Sequence, residues 1–143
     1  MKYILILLLF LSLSITVLQT AAPAAEPEIE PQKIEGKYAG HLEVFIPRPS
    51  QIKTYDYEVN IFKVLPDKKE VSLKTHCETC DKRESTLSGC KITAVAPDLL
   101  FGCKGDTWHV DYQLSGDLLT GTGITAKGIP FSVKVKKVQE TEK

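Results

Sequence analysis

Trp108-His-Val-Asp-Tyr-Gln-Leu-Ser-Gly-Asp-Leu-Leu-Thr-Gly-Thr-Gly-Ile124 is the stretch that decides the fold. Trp108, Val110, Tyr112 and Leu114 alternate with His109, Asp111 and Gln113. This is the period of a strand with one buried face, not the 3.6-residue period of a helix. Ser115-Gly-Asp117 then makes a tight hairpin turn, and Leu118 to Ile124 returns as a Gly/Thr-rich strand.

The same period runs outward on both sides. Ala126-Lys-Gly128 turns the chain into Phe131, Val133 and Val135. Upstream, Cys90, Ile92 and Ala94 lead through Val95-Ala-Pro-Asp98 to Leu99, Phe101 and Cys103. Val71, Leu73, Thr75 and Cys77 precede a polar stretch, Glu78 to Ser88, which reads as a loop. Tyr55, Tyr57, Val59 and Ile61 form a longer run whose phase slips at Phe62, the mark of a bulge or bend. The first strand carries Tyr38, Gly40, Leu42, Val44 and Ile46. No helix is expected. Eight strands with short connections predict an all-β, antiparallel up-and-down meander. It should close into a barrel or half-open barrel, because closure removes exposed edges. An interior of this strand number is just filled by side chains, or holds one small ligand.

The compartment comes from the N-terminus. Lys2 precedes an apolar run, Tyr3 to Leu18, and small residues follow at Ala21, Ala22, Ala24 and Ala25. That is the pattern of a secretory signal, assigned to residues 1–22, and it implies a periplasmic or extracellular protein. The run also approaches the length of a membrane anchor, so retention of the leader stays open; a cleaved leader leaves no stable span. Residues 23–33 form a Pro/Glu/Ala spacer expected to be disordered, 34–138 the barrel domain, and 139–143 a polar tail. Without the leader the formal charge is −1. Neither a nucleic-acid footprint nor a polybasic lipid patch is present.

Four cysteines, Cys77, Cys80, Cys90 and Cys103, fall in this domain. Aligning inward positions about Ala96-Pro97 sets Ala94 opposite Leu99, Ile92 opposite Phe101 and Cys90 opposite Cys103. Directly opposed Cβ atoms are close enough for a disulfide. Pairing Leu73 with Ala94 and Thr75 with Ile92 would also set Cys77 opposite Cys90, so that three cysteines stand side by side. Export and an even count favour two disulfides, either Cys77–Cys80 with Cys90–Cys103 or Cys77–Cys90 with Cys80–Cys103. A tetrathiolate metal site or a redox C-x-x-C is the alternative. Cys80 is followed by Asp81, so no haem-attachment C-x-x-C-H exists.

Gly36-Lys-Tyr38-Ala-Gly40-His-Leu42 at one end, and Tyr112-Gln-Leu114-Ser-Gly116-Asp-Leu118-Leu-Thr-Gly121-Thr followed by Gly128-Ile-Pro-Phe131-Ser-Val133 at the other, resemble a bacterial secreted small-barrel domain. Such domains are lipocalin-like meander barrels. Their usual opening aromatic is Trp, here replaced by Tyr38, and the cysteine cluster is not part of their pattern. The resemblance implies a fold and a binding role and carries no catalytic residue.

Tyr38, Tyr55, Tyr57, Trp108, Tyr112 and Phe131 all fall on inward positions. They are the candidates to line a ligand cavity, or otherwise an ordinary core. His41, His76 and His109 fall outward and read as exposed surface histidines. There is no G-x-S-x-G elbow and no phosphate loop, since Gly121-Thr-Gly123 sits within a strand. The resulting expectation is a monomeric, non-catalytic exported barrel without metal or other cofactor. It would bind a small apolar ligand or a cell-envelope protein. The alternative is a thiol-disulfide or metal-binding protein centred on the cysteines.

Overall fold

The computed structural model describes residues 22–25, 27–80 and 83–139. The expected leader and tail, apart from Ala22 and Gln139, lie outside the described residues. One helical turn, α1 (Pro31–Ile34), precedes eight strands: β1 (Gly36–Pro47), β2 (Ser50–Leu65), β3 (Glu70–His76), β4 (Glu84–Ala94), β5 (Leu99–Lys104), β6 (Trp108–Ser115), β7 (Leu118–Thr125) and β8 (Pro130–Lys137). A 3-10 turn, Pro66–Lys68, links β2 to β3. Each strand pairs antiparallel with the next, and β8 returns to β1 from Tyr38–Lys137 to Val44–Phe131. The sheet is therefore a closed barrel. No helix among the described residues is long and apolar enough to cross a membrane.

Closure crowds β1 against β8 at one inward position. A Cβ on Gly40 would run into the Lys134 carbonyl oxygen and lie 2.9 Å from Val135 Cα. Both are backbone atoms, which cannot swing aside as a side chain would. Below this point Tyr38, Val59, Ile61, Leu73, Phe101, Leu119 and Val135 are all but fully buried and fill the barrel.

The two ends differ. One is plugged by α1, a correction to the expectation of no helix and of a spacer disordered through residue 33. A single turn is not stable alone. Here Ile34 enters the core, a burial that contributes on the order of 1.5–3 kcal/mol. Three polar contacts hold the turn in place. The Tyr38 hydroxyl donates to the Ile34 carbonyl (2.7 Å), Lys137 Nζ donates to the Lys33 carbonyl (2.8 Å), and the Val64 amide donates to the Glu35 carboxylate (2.9 Å). Ile29 also packs against the core. The other end is open and carries the β1–β2, β3–β4, β5–β6 and β7–β8 connections. There β1 has no β8 partner beyond Val44, and β2 has no β3 partner before Glu58. The β1–β2 tip projects as a ribbon, with the opposed pair Phe45 and Ile52 exposed.

The bulge at Phe62 is found, where the β2–β3 register shifts between Ile61 and Lys63. Phe62 turns outward and Val64 inward. The β3–β4 hairpin departs from expectation. Leu73 faces Leu87 and Val71 faces Cys90, so Cys77 does not lie opposite Cys90. The chain reverses within Cys77–Arg83, where the Cys77 amide donates to the Arg83 carbonyl (2.8 Å), and Glu84 to Ser88 belong to the strand rather than a loop. A bulge follows in β4, and Gly89 there takes φ +71°, a left-handed conformation that suits glycine. Across the β4–β5 hairpin Ile92 faces Phe101 as expected, but a shift sets Ala94 opposite Leu100 instead of Leu99.

Two outcomes test this account. Gly40→Ala should lower the unfolding free energy by roughly 1–3 kcal/mol through overpacking; an unchanged urea midpoint would mean that β8 does not press on β1 there. The second concerns Tyr38. Burial, and then the charge of Asp117, raise its pKa to about 12. The folded state thus favours the protonated phenol, the form that donates to Ile34. That stabilisation is fully present below pH about 10, the unfolded value, and is lost as pH rises to about 12. Tyr38→Phe should remove this component of the alkaline stability loss, as followed by unfolding midpoints across that window.

Candidate functional site

At the open end the inward side chains do not meet, and a cavity of about 190 Å3 remains. Its apolar wall is built by Leu42 and Val44 of β1, Trp108 of β6 and Phe131 of β8. Trp108 and Phe131 meet edge to face, with ring centroids 6.2 Å apart. The ring of Phe131 lies over Gly123, where any side chain would collide with it. The polar lining is supplied by Tyr57 of β2, Thr75 of β3, Ser85 of β4, Thr107, and Thr125 of β7. These are hydroxyl groups, and among the described residues no carboxylate, amine, guanidine or imidazole takes part. The Cys77–Cys80 disulfide completes the rim.

Beneath the cavity lies Tyr112. Its ring stacks on Phe101 (centroids 5.2 Å apart) and covers Gly121, where a Cβ would come within 2.8 Å of it. The Tyr112 hydroxyl is buried and has no hydrogen-bond partner. Burial, then its neighbour Tyr57, hold it well above the usual tyrosine pKa. Burial also raises Tyr57, while the hydroxyls of Thr75 and Tyr112 beside it pull the other way.

The six aromatic candidates therefore divide. Tyr57, Trp108 and Phe131 line the cavity and Tyr112 sits below it. Tyr38 is at the plugged end, where its hydroxyl is committed to Ile34, and Tyr55 is half-buried opposite Leu42 outside the cavity wall. Inward parity alone does not say how far along the barrel a residue sits. Leu42, Val44 and Thr75 shared that parity and were legible as inward, but they lack the size that drew attention to the aromatics. Thr107 lies in a turn and carried no signal.

The cysteines form two disulfides, Cys77–Cys80 (Cα atoms 5.4 Å apart) and Cys90–Cys103 (4.5 Å). The second is the predicted cross-strand pair. The alternative connectivity, Cys77–Cys90 with Cys80–Cys103, is overturned by the β3–β4 register. No cysteine is free to supply a thiolate. Cys77, Cys90 and Cys103 are buried, whereas Cys80 is partly exposed. His41 and His109 are exposed and His76 is half-buried, each beside a carboxylate at 3.5–3.7 Å: Asp56, Asp111 and Glu84 respectively. Among the described residues no group of three or more potential ligands is placed to hold a metal ion. A cleft of about 380 Å3 among Glu58, Lys74, His76 and Glu84 lies between solvated side chains on the outer wall, and a wider one of about 870 Å3 lies at the plugged end among Ile29, Pro31, Pro66 and Ile92.

The sequence matches no protein-family model, no curated protein and no solved structure.

The disulfides should differ in weight. Cys90–Cys103 closes a longer loop and joins β4 to β5, so replacing both residues by Ala should cost about 2–4 kcal/mol in urea unfolding. Replacing Cys77 and Cys80 should cost less, because the loop they close is short. A mild reductant should open Cys77–Cys80 before Cys90–Cys103, so that the freed thiols of Cys77 and Cys80 are alkylated first, as mapped by mass spectrometry. Simultaneous modification of all four would show that burial does not protect the inner pair.

Proposed function

We propose that the protein is an exported, lipocalin-like barrel without catalytic machinery that binds a small, mainly apolar ligand at its open end. The observation that carries this reading is the cavity itself. The interior is tightly filled from the α1 plug up to Tyr112, then fails to fill where Leu42, Val44, Trp108 and Phe131 line the mouth. An apolar cavity of about 150 Å3 is enough to take up benzene, so about 190 Å3 suits a ligand of one substituted ring. It lies below the roughly 300–1,000 Å3 of sites for drug-sized molecules.

A second reading, thiol-disulfide exchange at Cys77–Cys80, draws on the partial exposure of Cys80 at the cavity rim. It would leave the cavity without a role, so the ligand reading is preferred. The two disulfides also fit the non-cytoplasmic setting that the leader implies.

Trp108 is the only tryptophan in the chain, so its fluorescence reports on the cavity directly. Titration with a one-ring hydrocarbon should give a saturable change in Trp108 emission. Val44→Phe, which narrows the mouth, should weaken that binding tenfold or more, about 1.4 kcal/mol, without loss of the barrel's circular dichroism. A linear, non-saturating response unaffected by Val44→Phe would remove the ligand reading. It would leave a cell-envelope protein as partner, with the exposed Phe45–Ile52 ribbon as the surface to test.

A further inference from the structure

The floor of the cavity narrows the chemistry of its occupant. Three hydroxyls gather there. Tyr57 and Thr75 face the cavity, and the Tyr112 hydroxyl lies behind Tyr57, buried and unpartnered. A phenol carries one proton to donate and also accepts. A buried donor left unused is unfavourable, and native structures seldom keep one without a reason. The Tyr57 hydroxyl lies beside that of Tyr112. If Tyr112 donates to Tyr57, the Tyr57 proton points onward, to Thr75 or to whatever occupies the cavity. The floor then presents one hydroxyl donor beneath the apolar side chains of Leu42, Val44, Trp108 and Phe131, with Ser85, Thr107 and Thr125 adding hydroxyls to the wall. Among the described residues no Lys, Arg or His lines the cavity to compensate an anion, and no Asp or Glu to compensate a cation. A charged ligand would lose its hydration with no counter-charge in return.

We propose that the cavity takes a neutral one-ring compound bearing a single hydrogen-bond acceptor, such as an aryl ketone or ester, with its ring against Trp108 and Phe131 and its carbonyl on the Tyr57 hydroxyl. This rests on the ligand reading above and specifies the ligand class. In the bound state the acceptor receives the Tyr57 proton, while Tyr57 accepts from Tyr112.

Three probes of similar size separate the possibilities: ethylbenzene, acetophenone and benzoate, each titrated into the oxidised protein and followed by backbone amide shifts of the cavity residues. Acetophenone should bind at least about fivefold tighter than ethylbenzene, the contribution of one hydrogen bond, and benzoate should bind weakest. Tyr57→Phe should erase the preference for the ketone, bringing acetophenone and ethylbenzene to similar affinity. Tyr112→Phe should keep the fold, since it removes an unpaired hydroxyl, and reduce the ketone preference in part. Equal wild-type affinity for ethylbenzene and acetophenone would overturn the acceptor and leave an apolar site. Tighter binding of benzoate than of acetophenone would overturn neutrality. No cavity shifts with any probe would overturn the ligand reading itself.

Discussion

Everything in this barrel depends on β8 closing onto β1. Without that seam the sheet would present two long edges, and the alternating side chains would have no enclosed volume to fill. The seam is demanding at Gly40, where the two backbones approach so closely that no side chain fits between them. Closure also poses a problem that strands cannot solve. A barrel has two ends, and each needs separate treatment. The plugged end uses residues preceding β1, pinned by Tyr38, Lys137 and Glu35. The open end has only connecting loops and the Cys77–Cys80 disulfide, and it is there that the packing runs out.

Glycine and aromatic residues divide the interior between them. Tyr112 occupies the space over Gly121, and Phe131 the space over Gly123, each on an adjoining strand. Absent side chains on β7 let large rings from β6 and β8 lie flat against the wall instead of meeting across the barrel. Deeper in, that arrangement is supplemented by aliphatic residues and leaves no cavity. Near the mouth it is not supplemented, and the space above Tyr57 stays open. Substituting β7 glycines with larger residues would push the rings toward the axis, so the glycines set the shape of the cavity although they supply none of its chemistry.

Much of this was legible in the sequence because it follows from two-residue periodicity. The eight strands, the hairpin at Ser115–Leu118, the bulge at Phe62 and the Cys90–Cys103 pairing each followed from keeping apolar residues on one face. The β3–β4 pairing was not legible for a physical reason. Glu84 to Ser88 is polar apart from Leu87, and an outward-facing edge beside a solvated cleft need not alternate visibly. The Gly89 bulge then shifts the phase between the two halves of β4. The α1 plug was hidden for a different reason: its turn is too short to show a helical period, and what holds it is Ile34 entering a core that exists only once the barrel has closed. For the site, parity located which residues face inward, but their height along the axis depends on strand stagger, which separates Tyr38 from Tyr57 and Trp108.

The two disulfides show that one chemical bond can serve separate ends within a small domain. Cys90–Cys103 links residues that the sheet already holds opposite each other, so it reinforces a register set by burial. Cys77–Cys80 spans part of a reversal that no hydrophobic pattern specifies, shortly before β4 begins at Glu84. The β3–β4 register sets Thr75 opposite Ser85, so two cavity hydroxyls take their positions from the hairpin that this short covalent loop adjoins. The disulfide at the rim therefore borders the hairpin that sets the polar wall of the cavity.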